Sequence, residues 1–153
     1  MKPIVVFTTL PGPREDVYAF LDVLSNHEAF TDHMLVDWTT SGPATGVGAT
    51  ARMRANAPGP KQWIDMEVVA ATAPETIVEE AVSAGGKRRT RGTYTLAQRP
   101  DGSTDVTFQL EYLAMPASER LMAPLLRAWL ARANAKAMER LREQYRPAAV
   151  AAA

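Results

Sequence analysis

The chain has 153 residues, a length that suits one domain and can bury a core. It holds no cysteine, which excludes disulfides, thiolate catalysis and cysteine-ligated metals. Basic and acidic residues number 17 each, and a net charge of zero argues against a general nucleic-acid binder. The charges are unevenly placed, with a net −6 in residues 1–80 and +6 in residues 81–153; the two halves are expected to neutralise each other within one fold. No run of about 18 apolar residues is present to form an integral membrane segment. The N-terminus enters a strand-like stretch without a signal peptide's charged start and cleavage site, so a cytoplasmic location is the default expectation.

Lys2 to Leu10 is rich in β-branched residues and reads as a strand. Pro11-Gly12-Pro13 breaks it, and Arg14-Glu15-Asp16 opens a short helix with Val17, Phe20, Leu21 and Leu24 on one face. Ser25 or Asn26 is placed to cap a second short helix ending near Thr31. Period-two alternation follows: Met34, Val36 and Trp38 on one face, then Ala49 to Ala55 beyond a Gly42–Gly48 turn region. Ala57-Pro58-Gly59-Pro60 turns the chain into a strand with Ile64, Met66 and Val68 on one face. After Ala73-Pro74 come two strands, Thr76 to Ser83 and Lys87 to Gln98, joined at Gly85-Gly86. Pro100-Asp101-Gly102-Ser103 leads to a last strand, Asp105 to Met115, where Val106, Phe108, Leu110 and Tyr112 share a face.

From Ala117 to about Tyr145 the period becomes helical. Met122, Leu126, Trp129, Leu130, Ala133, Ala137 and Leu141 form an apolar stripe, opposite Arg120, Arg127, Arg132, Lys136 and Arg140. Ser118 lies in the N-cap region and Pro147 ends the helix, which would run about 43 Å. The fold class is therefore α+β: a curved antiparallel sheet of about seven strands wrapped round a long C-terminal helix, with two short helices after the first strand. Residues 1–147 are expected to form a single domain and residues 148–153 a disordered tail.

That element order resembles the helix-grip fold of the SRPBCC or START-like superfamily, and within it the polyketide cyclase/dehydrase and lipid-transport branch. Three stretches carry the likeness. Pro13 to Leu21 is similar to the branch's first helix; Gly92 to Leu96, with Asp101 to Phe108, is similar to its paired late strands around an Asp-Gly turn; Leu121 to Arg127 resembles the start of its long helix. Phe30 stands where the branch often has tryptophan. These are turn, packing and helix-start residues, so the resemblance implies a fold and a hydrophobic ligand without implying a reaction.

With the turn at Gly85-Gly86, Glu80 falls opposite Arg91, Glu79 opposite Gly92 and Ile77 opposite Tyr94. Glu80 and Arg91 then form an outer-face ion pair. Glu79 shares the inner face with Tyr94, and both are candidate catalytic residues: a buried carboxylate has a raised pKa and suits general acid–base work, while a phenol can hydrogen-bond a carbonyl. Trp38, Met53, Met66, Phe108, Tyr112, Met122, Leu126 and Trp129 are the candidate ligand-binding residues, since methionine and aromatic rings suit an irregular apolar lining. Arg88 has inner parity and is placed to reach an anionic ligand group at the rim. His27 and His33 are six apart, unlike the three- or four-residue spacing that joins ligands on a helix, and are expected at the surface near the entrance; no metal or other cofactor is expected. The partner expected is a hydrophobic small molecule, with a homodimer left open. Three functions compete: a polyketide cyclase or dehydratase, a non-catalytic carrier or sensor of a lipid or other hydrophobic ligand, and a protein-interaction module using the basic face of the helix.

Overall fold

The computed structural model describes residues 1–57 and 61–147. The strands are β1 (Ile4–Leu10), β2 (Leu35–Ser41), β3 (Thr50–Ala55), β4 (Trp63–Thr72), β5 (Thr76–Ser83), β6 (Arg88–Gln98) and β7 (Thr104–Ala114). They form one antiparallel sheet in the order β1-β7-β6-β5-β4-β3-β2. Helices α1 (Arg14–Leu21) and α2 (His27–Thr31), separated by a 3₁₀ turn at Leu24–Asn26, follow β1. The chain closes with α3 (Ala117–Arg120) and α4 (Ala123–Gln144). The helix-grip architecture is thus present. The Pro58–Pro60 part of the expected turn and the expected tail of residues 148–153 lie outside the described residues.

Alternation sorts the sheet into a core face and a solvated face. On β5, Ile77, Glu79 and Ser83 are buried while Val82 is exposed; on β7, Thr104, Val106 and Phe108 are buried. The inner residues meet Val17 and Leu21 of α1, Phe30 of α2, and Ala137, Met138 and Leu141 of α4. At the Gly42–Gly48 turn a side chain is not tolerated: Gly42 has φ +77°, and a Cβ there would stand 2.7 Å from the Gly48 carbonyl oxygen.

Three local expectations need correction. The strict alternation through Met34, Val36 and Trp38 fails, because β2 has a bulge between Val36 and Thr39 with Asp37 at φ 58°. The bulge turns both Leu35 and Trp38 toward the core. The long helix is broken at Leu121–Met122, and Pro116, not Ser118, holds the N-cap position of α3. Pro124 has no amide hydrogen to bond the Arg120 carbonyl, so it serves a helix start and not a helix interior. The helix α4 that remains, 22 residues, is about 33 Å long. Finally, the β5–β6 connection spans Ala84 to Lys87, with Ala84–Gly86 in a 3₁₀ turn, yet it leaves the expected register intact: Glu79 pairs with Gly92 and Glu80 with Arg91.

The charge halves meet as expected at several points. Arg91 and Arg89 both pair with Glu80 on the outer face, and Arg140 of α4 pairs with Asp32. No helix among the described residues is long and apolar enough to cross a membrane.

Candidate functional site

A cavity of about 360 Å³ opens between the inner face of the sheet, α3 and the first half of α4. Met53 on β3, Ile64 and Met66 on β4, Ala81 on β5, Phe108 and Leu110 on β7, and Leu126, Trp129 and Leu130 on α4 make its apolar wall. Polar groups converge at the mouth: Gln62, Ser83, Arg88, Thr90, Tyr112 and Glu119. Arg88 arrives there because its parity on β6 is inward, as the sequence implies. Its Nη1 donates to Gln62 Oε1 (2.9 Å) and Ser83 Oγ (3.0 Å), while Nε (3.1 Å) and Nη2 contact the two carboxylate oxygens of Glu119. The guanidinium expected to be available at the rim is therefore already paired. Burial raises the Tyr112 phenol, and the Arg88 charge, which lowers it, acts against Glu119, which raises it.

Deeper along the same face lies a second polar group of residues. Glu79 is 4% exposed, and its Oε1 stands 3.5 Å from His27 Nδ1, too long for a full hydrogen bond. His27 is 2% exposed, which corrects its expected surface position. It opens α2 on the same stripe as Leu24, Phe30 and Thr31, and that spacing is the signal that reading the two histidines as a pair obscured. His27 Nε2 lies 2.7 Å from the Leu21 carbonyl oxygen, which can only accept, so Nε2 carries a hydrogen and Nδ1 of the neutral ring presents its lone pair toward Glu79.

The electrostatics agree with that tautomer. Burial pushes the Glu79 carboxyl up to about 8, and no charged group compensates. Burial also lowers His27 to about 4, against the opposing pull of the Leu21 hydrogen bond and the Asp22 charge. Near neutral pH both groups are uncharged, with the proton on the acid and an acceptor nitrogen facing it. Among the described residues Glu79 Oε1 has no hydrogen-bond partner. Tyr94 completes the group: its ring centroid is 5.5 Å from that of His27, and burial, then the Glu79 charge, raises its phenol.

Of the residues singled out from sequence, Met53, Met66, Phe108, Tyr112, Met122, Leu126 and Trp129 lie in the cavity wall. Trp38 does not; its indole packs 6.5 Å from the His27 ring and donates to the Leu35 carbonyl (3.2 Å). Glu79 and Tyr94 lie next to the cavity and not in its wall. Phe108 stands at the boundary, lining the cavity while its ring meets Tyr94 at 4.7 Å and covers Gly92. His33 is half-buried: Nε2 donates to the Ala133 carbonyl (2.8 Å) and Nδ1 faces Arg140 (3.3 Å), so it ties the α2–β2 junction to α4.

A curved sheet gripping one long helix over such a cavity defines a class of proteins, and comparison by sequence places the chain within it. The family model described as polyketide cyclase / dehydrase and lipid transport matches residues 3–146, and the chain belongs to that family. No curated protein matches the sequence. Among solved structures it is similar in fold to TTHA0849 of Thermus thermophilus, at 20% identity and TM-score 0.69, covering 93% of this chain and 95% of that one. A conserved protein of Geobacillus kaustophilus is similar at 13% identity and TM-score 0.71, over 94% of each chain. The ginseng major latex-like protein 151 of Panax ginseng is similar at 12% identity and TM-score 0.67, over 95% of this chain and 98% of that one.

Proposed function

We propose that the protein binds a hydrophobic small molecule, aromatic, polyketide-like or lipid, in the cavity under α4. The observation that carries this reading is a cavity of about 360 Å³ whose wall is mainly apolar and whose polar groups, Asn134 apart, gather at one end. Pockets of roughly 300–1,000 Å³ with few, convergent polar groups are typical of small-molecule sites. Met53, Met66, Leu126 and Trp129 supply adaptable apolar surface, with Phe108 and Tyr112 as the aromatic contacts. Native mass spectrometry of protein purified from its own host tests it: a retained small molecule is expected. Finding none, together with no stoichiometric binding of a neutral hydrophobic dye, would remove the reading.

A second reading, catalysis of the cyclase or dehydratase kind, rests on the Glu79–His27–Tyr94 group. A carboxyl that is neutral near pH 7 and faces a histidine nitrogen is equipped to give and retrieve a proton, and Tyr94 to polarise a carbonyl. Phe108 would have to turn aside for a substrate atom to reach them. Glu79→Gln keeps the size and removes the proton, so turnover should fall about 10²–10⁴-fold with little change in affinity. A carrier has no turnover to lose, and equal ligand binding with no reaction in the wild type decides for it.

A further inference from the structure

The mouth of the cavity carries an arrangement that the binding of a purely apolar molecule does not require. An arginine turned toward an apolar cavity is costly unless its charge is matched. Here the matching is divided in two. Gln62 and Ser83 hold Nη1, fixing the plane of the guanidinium, and leave the Nε–Nη2 edge facing the mouth. That edge is the one whose two parallel donors fit both oxygens of a carboxylate. Glu119 fills it, with Nε to Oε2 at 3.1 Å and Nη2 to Oε1.

The two partners differ in how firmly they are held. Arg88 is the first residue of β6, its backbone paired with Ser83 at the end of β5, whereas Glu119 is on α3, four residues bounded by Pro116 and the helix break at Leu121–Met122. The apolar residues next to α3 add little anchoring, since Leu121 is 91% exposed and Leu125 66% exposed. Inward of Arg88 the wall passes Thr90 and Tyr112 and then becomes apolar, through Ala81, Met53, Met66 and Leu110.

Resting on the cavity as a small-molecule site, we propose that Arg88 is a carboxylate subsite and that the ligand class is an amphipathic carboxylic acid, its acid group taking the place now held by Glu119 and its apolar body lying along the cavity. Exchanging one carboxylate for another preserves the charge match on Arg88. A neutral ligand of the same shape gains nothing there and leaves Glu119 where it is. The preference for acid over alcohol therefore arises at this one contact.

The test is displacement of the neutral dye N-phenylnaphthylamine from the full chain at neutral pH by two matched pairs: decanoic acid against decanol, and naphthoic acid against naphthol. In at least one pair the acid should displace at about one-tenth the concentration of its alcohol. The pair with the larger ratio tells an aliphatic source from an aromatic one. Glu119→Gln removes the competing charge and should widen the acid-to-alcohol ratio; Arg88→Gln should bring it close to one. Should Arg88→Gln fail to fold, the widened ratio in Glu119→Gln decides alone. Equal displacement by acid and alcohol, in both the wild type and Glu119→Gln, overturns the subsite while the cavity reading stands. A dye that does not bind, or that no probe displaces, removes the cavity reading and the subsite with it.

Discussion

The two ends of the interior are built on the same strands and reach opposite outcomes. Along the inner face of β5, Ser83 at the mouth and Glu79 in the depth are four residues apart, about 13 Å at the rise of a strand. At the deep end, α1, α2 and the last turns of α4 cover the sheet, and Leu21, Phe30, Leu141 and Tyr145 are almost fully buried. At the mouth only α3 and the first turns of α4 lie over it, and Leu126, Trp129 and Leu130 border open space. One helix thus serves two tasks. Its C-terminal half is core, and its N-terminal half is the roof of a cavity. Stability is concentrated where the packing is complete, and the capacity to bind where it is not.

The largest effect that can test this contrast is a truncation at each end of α4. Leu141→Ala removes a side chain of 0% exposure from the packed end and should cost about 2–5 kcal/mol in chemical denaturation. Trp129→Ala, although it deletes more atoms, should cost less than Leu141→Ala, because the ring already borders a space; its larger effect should be weaker dye binding. Equal or reversed losses would show that Trp129 is as tightly packed as Leu141, and the two-ended description would fail.

Next in size is a pH dependence belonging to the deep end alone. Glu79 titrates at about 8 in the folded chain against 4.5 for the free side chain. Between about 6.5 and 8 the folded chain keeps a proton that the unfolded chain has released, so stability falls as pH rises through this window, by about 2 kcal/mol. His27 has the opposite sign: its folded value near 4 lies below the ordinary 6.5, so the unfolded chain takes up the extra proton and stability falls as pH drops from 6.5. From 4.5 to 6.5 the two slopes oppose each other. Glu79→Gln should abolish the alkaline loss, and denaturation curves from pH 6.5 to 9 should show the variant gaining on the wild type. Parallel curves would mean that water reaches Glu79.

Which of these features were legible in the sequence follows from how local their causes are. The element order and the Glu79–Gly92 register were legible because alternation and a hairpin turn are written within a few neighbouring residues. The wall methionines and Phe108 follow from the same parity. The burial of His27 is only half legible: its spacing from Leu24 and Phe30 marks an inward face, but its partner, Glu79, is supplied by a strand far along the chain. Trp38 faces inward as its parity implies, but it reaches His27 at the deep end and not the cavity, and parity does not state which end of the interior a side chain meets. The bulge that brings Leu35 inward beside it leaves no composition signal beyond Asp37. The break before α4 was written in Pro124, which the apolar stripe overrode. That Glu119 occupies Arg88 depends on where α3 folds back, which no local pattern states.

A smaller change probes the boundary between the two ends. A Cβ added at Gly92 would stand 2.8 Å from Cε2 and 3.0 Å from Cζ of Phe108. The obstacle is the far edge of a ring that borders the cavity, so Gly92→Ala should push Phe108 into that space at a cost of about 1 kcal/mol. The cavity then loses volume, and dye affinity should fall by more than the stability does. A loss of several kcal/mol with unchanged dye binding would mean that Phe108 is held in place by Tyr94 and cannot yield.

The smallest expected effect lies at the outer lip of the mouth. Leu125 is 66% exposed, so the unfolded chain gains little further hydration of this side chain, and Leu125→Ser should change stability by no more than about 0.5 kcal/mol. Serine is a somewhat poorer helix former than leucine, and that difference, a few tenths of a kcal/mol, should be most of what is measured. Leu125 and Leu141 are the same residue type on the same helix, about four turns apart, and beyond the difference between the serine and alanine replacements their losses should differ because one side chain is enclosed and the other wet. A loss above about 1 kcal/mol would show that Leu125 is covered in solution, and that the α3–α4 lip folds over the mouth and encloses it.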